Sequence, residues 1–308
     1  MKHIRIASRA SKLALAQTNI VKEALENLSD DVEISIVTIS TKGDRDKSDF
    51  LHKSESVGFF TSEVENALLD GRADMAVHSL KDLPTAYTAG LTVAAIPKRE
   101  AAADALVASD PAASLEDLPP GTTVGTSSLR RIAQLHHIRG DLKCVPLRGN
   151  VETRVRKVAT GQVDAAIVAC AGLKRLGLAD KISAVLAPEQ FLNAPGQGAL
   201  AVQVRAEDSE LIELAHQLDD RLTRIATEAE RLVLASMHGG CSIPLGVYAR
   251  ITEGQLKIDA MIADIKGEKY VRHSKTTCLE RAASCARELA NELLEAGGRE
   301  ILEQLRSG

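Results

Sequence analysis

The sequence predicts an α/β protein of two similar lobes followed by a smaller C-terminal α+β domain. Three observations carry this reading. Short β-branched runs alternate with helical patterns early in the chain, the same plan restarts after the breaker-rich stretch Ser114–Gly121, and the last part changes to two adjacent strands and a helix. A length of 308 residues suits two or three domains better than one core.

Element by element, Ile4–Ser8 reads as a strand, and Ser11 precedes a helix whose Leu13, Ala16, Ile20, Ala24 and Leu28 are spaced for one buried face. Val32–Ile39 alternates as a strand. Ser62 with Glu65 reads as a capping box before Val64, Ala67 and Leu68, and Gly71 stops that helix ahead of strand Asp74–Ser79. Such alternation implies a parallel sheet with helices on its faces. The second lobe offers strand Thr123–Thr126, helix Leu129–His137, strand Leu142–Leu147, helix Val151–Thr160 and strand Val163–Ala169. Both lobes contain one phrase, Gly71-Arg-Ala-Asp-Met-Ala-Val and Gly161-Gln-Val-Asp-Ala-Ala-Ile, which is either a duplication or a generic helix stop leading into a strand. An apolar run after Pro195-Gly-Gln-Gly198 leads to a long helix, Leu222–Met237. Strands Gln255–Ile265 and Glu268–Thr276 and helix Glu280–Ala296 close the chain.

Composition removes several function classes. Tryptophan is absent and aromatics make up 2% of residues, which leaves few stacking platforms for nucleic acid. No apolar run approaches the roughly 20 residues of a membrane span. Met1-Lys-His-Ile-Arg-Ile enters a strand with no signal-peptide core, so a cytoplasmic location is expected. Cys144, Cys170, Cys241, Cys278 and Cys285 form no CxxC pair, and the histidines have no metal spacing, so neither a disulfide framework nor a metal site is expected. Nucleotide signatures are missing: there is no GxxxxGK[ST], and no GxGxxG after the first strand.

Ligands of open α/β sheets sit beyond the carboxyl ends of the strands, and the polar residues collect there, implying a cleft. Those ends read Ser8-Arg9-Ala10-Ser11, His78-Ser79-Leu80-Lys81-Asp82, Gly125-Thr126-Ser127-Ser128-Leu129-Arg130-Arg131, Leu147-Arg148-Gly149-Asn150 and Ala169–Arg175. Gly121–Lys157 carries a formal charge of +6 in a chain of net charge −4, so any attraction for an anion is local. Arg130 and Arg131 open a helix behind Thr126-Ser127-Ser128, where free N–H groups already favour an anion. Convergent guanidiniums suit a ligand with several carboxylates, while Arg139, Arg156 and Lys157 read as solvated. Asp82 either holds N–H groups and developing positive charge or simply caps its loop. Cys241, in His238-Gly-Gly-Cys-Ser-Ile-Pro244, has glycines that leave a thiol accessible, whereas Cys170 reads as inert core.

Taken in order, Ile6-Ala-Ser-Arg9, Gly71–Pro84, Val124–Arg131, Leu147–Arg154, Ala171–Gly177, Gly196-Gln-Gly198 and Gly239–Pro244 resemble the porphobilinogen deaminases along nearly the whole chain. The resemblance implies two lobes like those of periplasmic solute-binding proteins around a cleft, 1–98 with 194–216 and 99–193, and a third domain at 217–308. It implies a dipyrromethane cofactor on Cys241, held by Lys81, Asp82, Thr126, Ser127, Ser128, Arg130, Arg131, Arg148 and Gly149. Porphobilinogen would meet Arg9, Ser11, Phe60, Arg148, Arg154, Arg175 and Gln197, with Asp82 in the catalytic role and Phe60 stacking from a lid near 47–57. The family precedent is a monomer. Val57-Gly-Phe-Phe60 and Ser62 depart from the family's usual Lys-Gly-Leu-Phe and nearby lysine, which puts the lid contacts in doubt. The competing reading is a non-catalytic two-lobed binding protein for an organic polyanion.

Overall fold

The structure is a computed structural model and describes residues 2–29, 31–40, 61–237 and 243–307. Phe60, Cys241 and the expected lid lie outside the described residues. The chain divides into two compact units, Met1–Glu100 with Ala199–Arg224 and Ala101–Gly198 with Ile225–Gly308.

The first unit begins β1 (Lys2–Arg9), α1 (Lys12–Glu26), β2 (Val32–Ile39), α2 (Ser62–Leu69), β3 (Met75–Ser79) and β4 (Leu91–Ala95). The second unit follows with β5 (Asp104–Ala108), β6 (Thr123–Gly125), α3 (Leu129–Ile138), β7 (Lys143–Val145), α4 (Val151–Ala159), β8 (Ala165–Ala169), α5 (Cys170–Arg175) and β9 (Ala184–Leu186). The chain then returns to the first unit with β10 (Leu200–Arg205) and α6 (Ser209–His216). After helix α7 (Arg221–Ser236) come β11 (Leu245–Thr252), β12 (Gln255–Ala263), β13 (Tyr270–Cys278), α8 (Ala282–Leu293) and α9 (Arg299–Ser307).

The first sheet is ordered β2-β1-β3-β10-β4 and the second β7-β6-β8-β5-β9, so one topology occurs twice. Neither sheet is wholly parallel. β10 runs antiparallel to β3 and β4, and β5 runs antiparallel to β8 and β9. Each of these strands enters its sheet from the other half of the chain, without the helical crossover that makes neighbours parallel. The third sheet is an antiparallel meander, β11-β12-β13, whose buried face shares a core with α7, α8 and α9. This is the α/β pair of lobes and the smaller α+β part that the pattern predicts. Among the described residues, no helix is long and apolar enough to cross a membrane.

Two local expectations fail for physical reasons. The buried face of α1 is Gln17, Thr18, Val21 and Leu25, while Ile20 and Leu28 are exposed. Polar residues occupy that face because they are paired: Gln17 Nε2 donates to Ser79 Oγ at 2.8 Å and Thr18 Oγ1 to Ser8 Oγ at 2.9 Å. The expected capping box is absent as well. Thr61 is the N-cap of α2, and Glu65 turns inward, where Gln203 Nε2 donates to it at 2.9 Å.

Candidate active site

In the first unit, β3 runs into a single helical turn, Leu80–Asp82. Leu80 and Leu83 are buried on either side, and Leu80 N–H donates to Ala199 O at 3.0 Å. The turn is therefore pinned, with Lys81 half-buried and Asp82 exposed. Asp82 accepts no hydrogen bond and forms no ion pair among the described residues, so it does not cap its loop there. Beneath the turn lies a buried chain of polar groups. Because Gln203 Nε2 donates to Glu65, its Oε1 is the acceptor for His78 Nε2–H at 3.0 Å. Burial lowers the His78 pKa to about 4, against the Gln203 hydrogen bond, and the Arg9 charge lowers it further. Arg9 ends β1, and Ser11 is the N-cap of α1, its Oγ accepting from Ala14 N–H at 3.3 Å.

The second unit contains a group that sequence reasoning missed. Asp104, the first residue of β5, is fully buried and accepts from Arg130 Nη1 at 2.8 Å, Arg131 Nη2 at 2.6 Å and Gln197 Nε2 at 2.9 Å. Burial alone would raise its pKa, but the two guanidiniums hold it well below the ordinary carboxylate range. Arg130 also donates to Leu192 O at 2.7 Å, Arg131 to Ile167 O at 2.9 Å, and Gln197 to Ala102 O at 2.8 Å. Arg130 and Arg131, expected to meet an anion at the start of this helix, are only 4% and 5% exposed and already share an internal carboxylate. The signal for Asp104 was present in the sequence. An acid inside Ala101-Ala-Ala-Asp-Ala-Leu-Val107 must be paired if that run is buried.

Around this cluster the predicted loop residues assume distinct jobs. Ser127 Oγ donates to Leu147 O at 3.2 Å and accepts from Leu147 N–H at 3.1 Å, closing the loop after β6. Thr126 Oγ1 accepts from Ser128 N–H at 3.3 Å, and the Ser128 hydroxyl does not cap α3. Gly149 has φ 109°, and a Cβ there would lie 2.6 Å from Thr153 Cγ2, so glycine is required for the turn. Its carbonyl accepts from Arg154 Nε at 2.9 Å. Arg154 has no carboxylate partner among the described residues, and burial, with the Arg131 charge, lowers its pKa to about 10. Arg148 is half-buried, and Arg175 Nη2 donates to Gly198 O at 2.7 Å. Arg139, expected to be solvated, instead donates to Leu115 O, Glu116 O, Leu118 O and Asp141. Cys170 is the inert core thiol expected, buried and raised to about 11 by burial.

Two guanidiniums therefore face one buried carboxylate, the charge of Arg131 also reaches Arg154, and the Nε atoms of Arg130 and Arg131 are buried with no partner among the described residues. Buried donors left unpaired are costly. This donor set fits an organic acid of several carboxylates.

Residues 4–213 match the porphobilinogen deaminase dipyromethane cofactor binding domain, and residues 225–295 match the porphobilinogen deaminase C-terminal domain. The chain belongs to the porphobilinogen deaminase family. Similar relatives named porphobilinogen deaminase include that of Maridesulfovibrio salexigens, 44% identical with 99% of each chain covered. That of Nitratidesulfovibrio vulgaris is 45% identical over 99% of this chain and 97% of the relative. That of Desulforamulus reducens is 41% identical with 100% of each covered. A solved methionine binding protein, MetQ, is 14% identical with a TM-score of 0.43, covering 70% of this chain and 89% of that one. Membership in the porphobilinogen deaminase family does not favour the non-catalytic binding protein.

Proposed function

We propose that this chain is a transferase that joins four porphobilinogen molecules head to tail, releases ammonia at each step, and frees the linear tetrapyrrole 1-hydroxymethylbilane by hydrolysis. The observation that carries the reading is Asp82, an exposed carboxylate with no partner among the described residues, on a turn pinned by buried Leu80 and Leu83. In a member of this family, such a group is free to act on the substrate. It hydrogen-bonds pyrrole N–H groups, stabilises the positive charge that develops as the aminomethyl group loses ammonia, and accepts the proton released when the new carbon–carbon bond forms.

The dipyrromethane, bound through Cys241, supplies the pyrrole carbon to which the first porphobilinogen is joined. Arg130, Arg131 and Arg148 would hold its carboxylates, with Lys81, Thr126, Ser127, Ser128 and Gly149 assisting. The orphaned Nε atoms of Arg130 and Arg131 support that assignment. Arg9, Ser11, Arg154, Arg175, Gln197 and Phe60 would meet the acetate, propionate and ring of the incoming substrate. Guanidinium forks match carboxylates bidentately, which positions a substrate carrying two of them. Three domains, 1–98 with 194–216, 99–193 and 217–308, a cytoplasmic location and a monomer without nucleic-acid or membrane partners complete the reading.

Intact mass spectrometry with peptide mapping tests it. The added mass of two linked pyrroles on Cys241, and product formation from porphobilinogen, are expected. A protein that acquires no adduct and yields no product when incubated with porphobilinogen would leave the anion-binding protein as the better account.

A further inference from the structure

We infer that Asp104 is a positioning residue that pre-sets the Arg130–Arg131 pair for carboxylate binding. The inference rests on the functional reading above and deepens it. Two guanidiniums side by side in a buried site repel each other, and each is costly to desolvate. The Asp104 carboxylate sits between them with no exposed surface, one oxygen on Arg130 at 2.8 Å and the other on Arg131 at 2.6 Å. Gln197 binds the same oxygen as Arg131 and is itself fixed to Ala102 O. Gln134 then brackets Leu192 from both sides, accepting from its N–H at 2.7 Å and donating to its carbonyl at 2.9 Å. That carbonyl is also held by Arg130.

Arg130 Nη1 is therefore shared between Asp104 and Leu192 O, Arg131 spans Asp104 with Nη2 and Ile167 O with Nη1, and neither Nε has a partner among the described residues. The rotamers are fixed before any ligand arrives, so the ordering cost is met on folding rather than on binding. One acid between two guanidiniums also leaves the cluster positive, and Arg154 adds a further guanidinium with no described carboxylate. An organic acid thus meets donors already in place.

The test is loading. Wild type and Asp104→Asn, produced without porphobilinogen, are titrated with it, and the fraction of Cys241 carrying the adduct is read by intact mass. Circular dichroism checks the fold. The folded Asp104→Asn protein is expected to need at least tenfold more porphobilinogen for half-loading. A folded variant whose concentration dependence matches wild type within twofold would overturn the inference, because a purely structural role would move stability and not loading. If Asp104→Asn does not fold, Asp104→Glu, which keeps the charge but displaces the carboxylate by one methylene, decides. A shift of threefold or more supports the inference, and a smaller one overturns it. A wild type that never loads overturns the functional reading itself, whereas a loading wild type with an unshifted variant overturns only the role of Asp104.

Discussion

The two lobes build the same helix start on the same sheet and fill it differently. α1 begins behind N-cap Ser11 with Lys12-Leu13-Ala14, and α3 begins behind N-cap Ser128 with Leu129-Arg130-Arg131. Each has a buried glutamine six residues past its cap, Gln17 and Gln134. In the first sheet Leu200 of β10 pairs with Ser79, the last residue of β3; in the second, Asp104 of β5 pairs with Ala169, the last residue of β8. Position for position, the first lobe places leucine and alanine where the second places two arginines, and leucine where the second places aspartate. The scaffold does not demand ions there. The second lobe carries a buried ion cluster on a frame that the first shows can be built without one, and a cluster costly to desolvate points to function rather than stability.

The largest effect tests that lesson directly. Asp104→Leu, the first lobe's residue in the second lobe, should cost about 3–5 kcal/mol, because it strands two buried guanidiniums. The triple variant Asp104→Leu/Arg130→Leu/Arg131→Ala should recover most of that stability in urea unfolding while failing to load a cofactor on Cys241. If the triple variant is no more stable than Asp104→Leu alone, the lobes are not interchangeable frames and the comparison breaks.

Next comes a contrast between two carboxylates. Asp104 is buried and paired, and Asp82 is exposed with no described partner. Asp82→Ala should leave the thermal midpoint within about 1 °C, since surface substitutions usually change stability little. Turnover should fall by about 10²–10⁴-fold, the range for loss of a positioned acid or base. Steady-state assay of product alongside calorimetry checks both halves, and near-normal turnover would remove Asp82 from the chemistry.

The third prediction concerns pH. His78 has its pKa lowered to about 4 in the folded protein, so the unfolded chain takes up a proton that the native state refuses. That contribution is complete above about pH 6.5, the ordinary histidine value. It is lost as pH falls from there toward 4, at up to about 1.4 kcal/mol per pH unit. His78→Gln should flatten this slope in urea unfolding between pH 7 and pH 5, while an unchanged slope would assign the acid sensitivity elsewhere. Asp104 acts lower on the scale. Its depressed pKa gives stability that is lost only as pH falls below the ordinary carboxylate range.

How much of this was legible follows from where the information lies. Strand and helix order came through because period and punctuation are local: Val32–Ile39 was bounded correctly, and Gly71 and Gly161 adopt the positive φ values of 68° and 69° expected of helix stops. The antiparallel β5 and β10 were not legible, since direction is set by which sheet a strand joins and not by its own residues. The buried face of α1 is not legible in its own residues, because burial there is decided by partners far along the chain, Ser79 for Gln17. At the site, Asp82 and the arginines stood out by residue type at strand ends. Asp104, Glu65 and Gln203 did not, because a buried polar residue is recognised by the partner it meets, and those partners come from other strands and helices.

The smallest effect returns to the shared phrase. Its aspartate follows the glycine by three residues in both lobes and receives the backbone N–H of the neighbouring first strand: Arg5 N–H to Asp74 at 2.9 Å, and Thr123 N–H to Asp164 at 2.8 Å. This bond ties the start of β3 to β1 and the start of β8 to β6, which is a mechanical reason for the phrase to occur in both. The side-chain partners differ. Asp74 also pairs with the Arg5 guanidinium at 2.8 Å, and Asp164 accepts from Thr123 Oγ1 at 2.6 Å. If the backbone bond is the common purpose, Asp74→Ala and Asp164→Ala should each cost about 1 kcal/mol, the usual net worth of such a hydrogen bond. Asp74 should be slightly the larger, because its guanidinium partner is half-buried. Asn at either position keeps an acceptor for the N–H and should restore most of the loss. A loss at Asp74 that Asn does not restore would mean its ion pairs with Arg5 and Arg205 are what matter there, and the two phrases would then share a sequence without sharing a role.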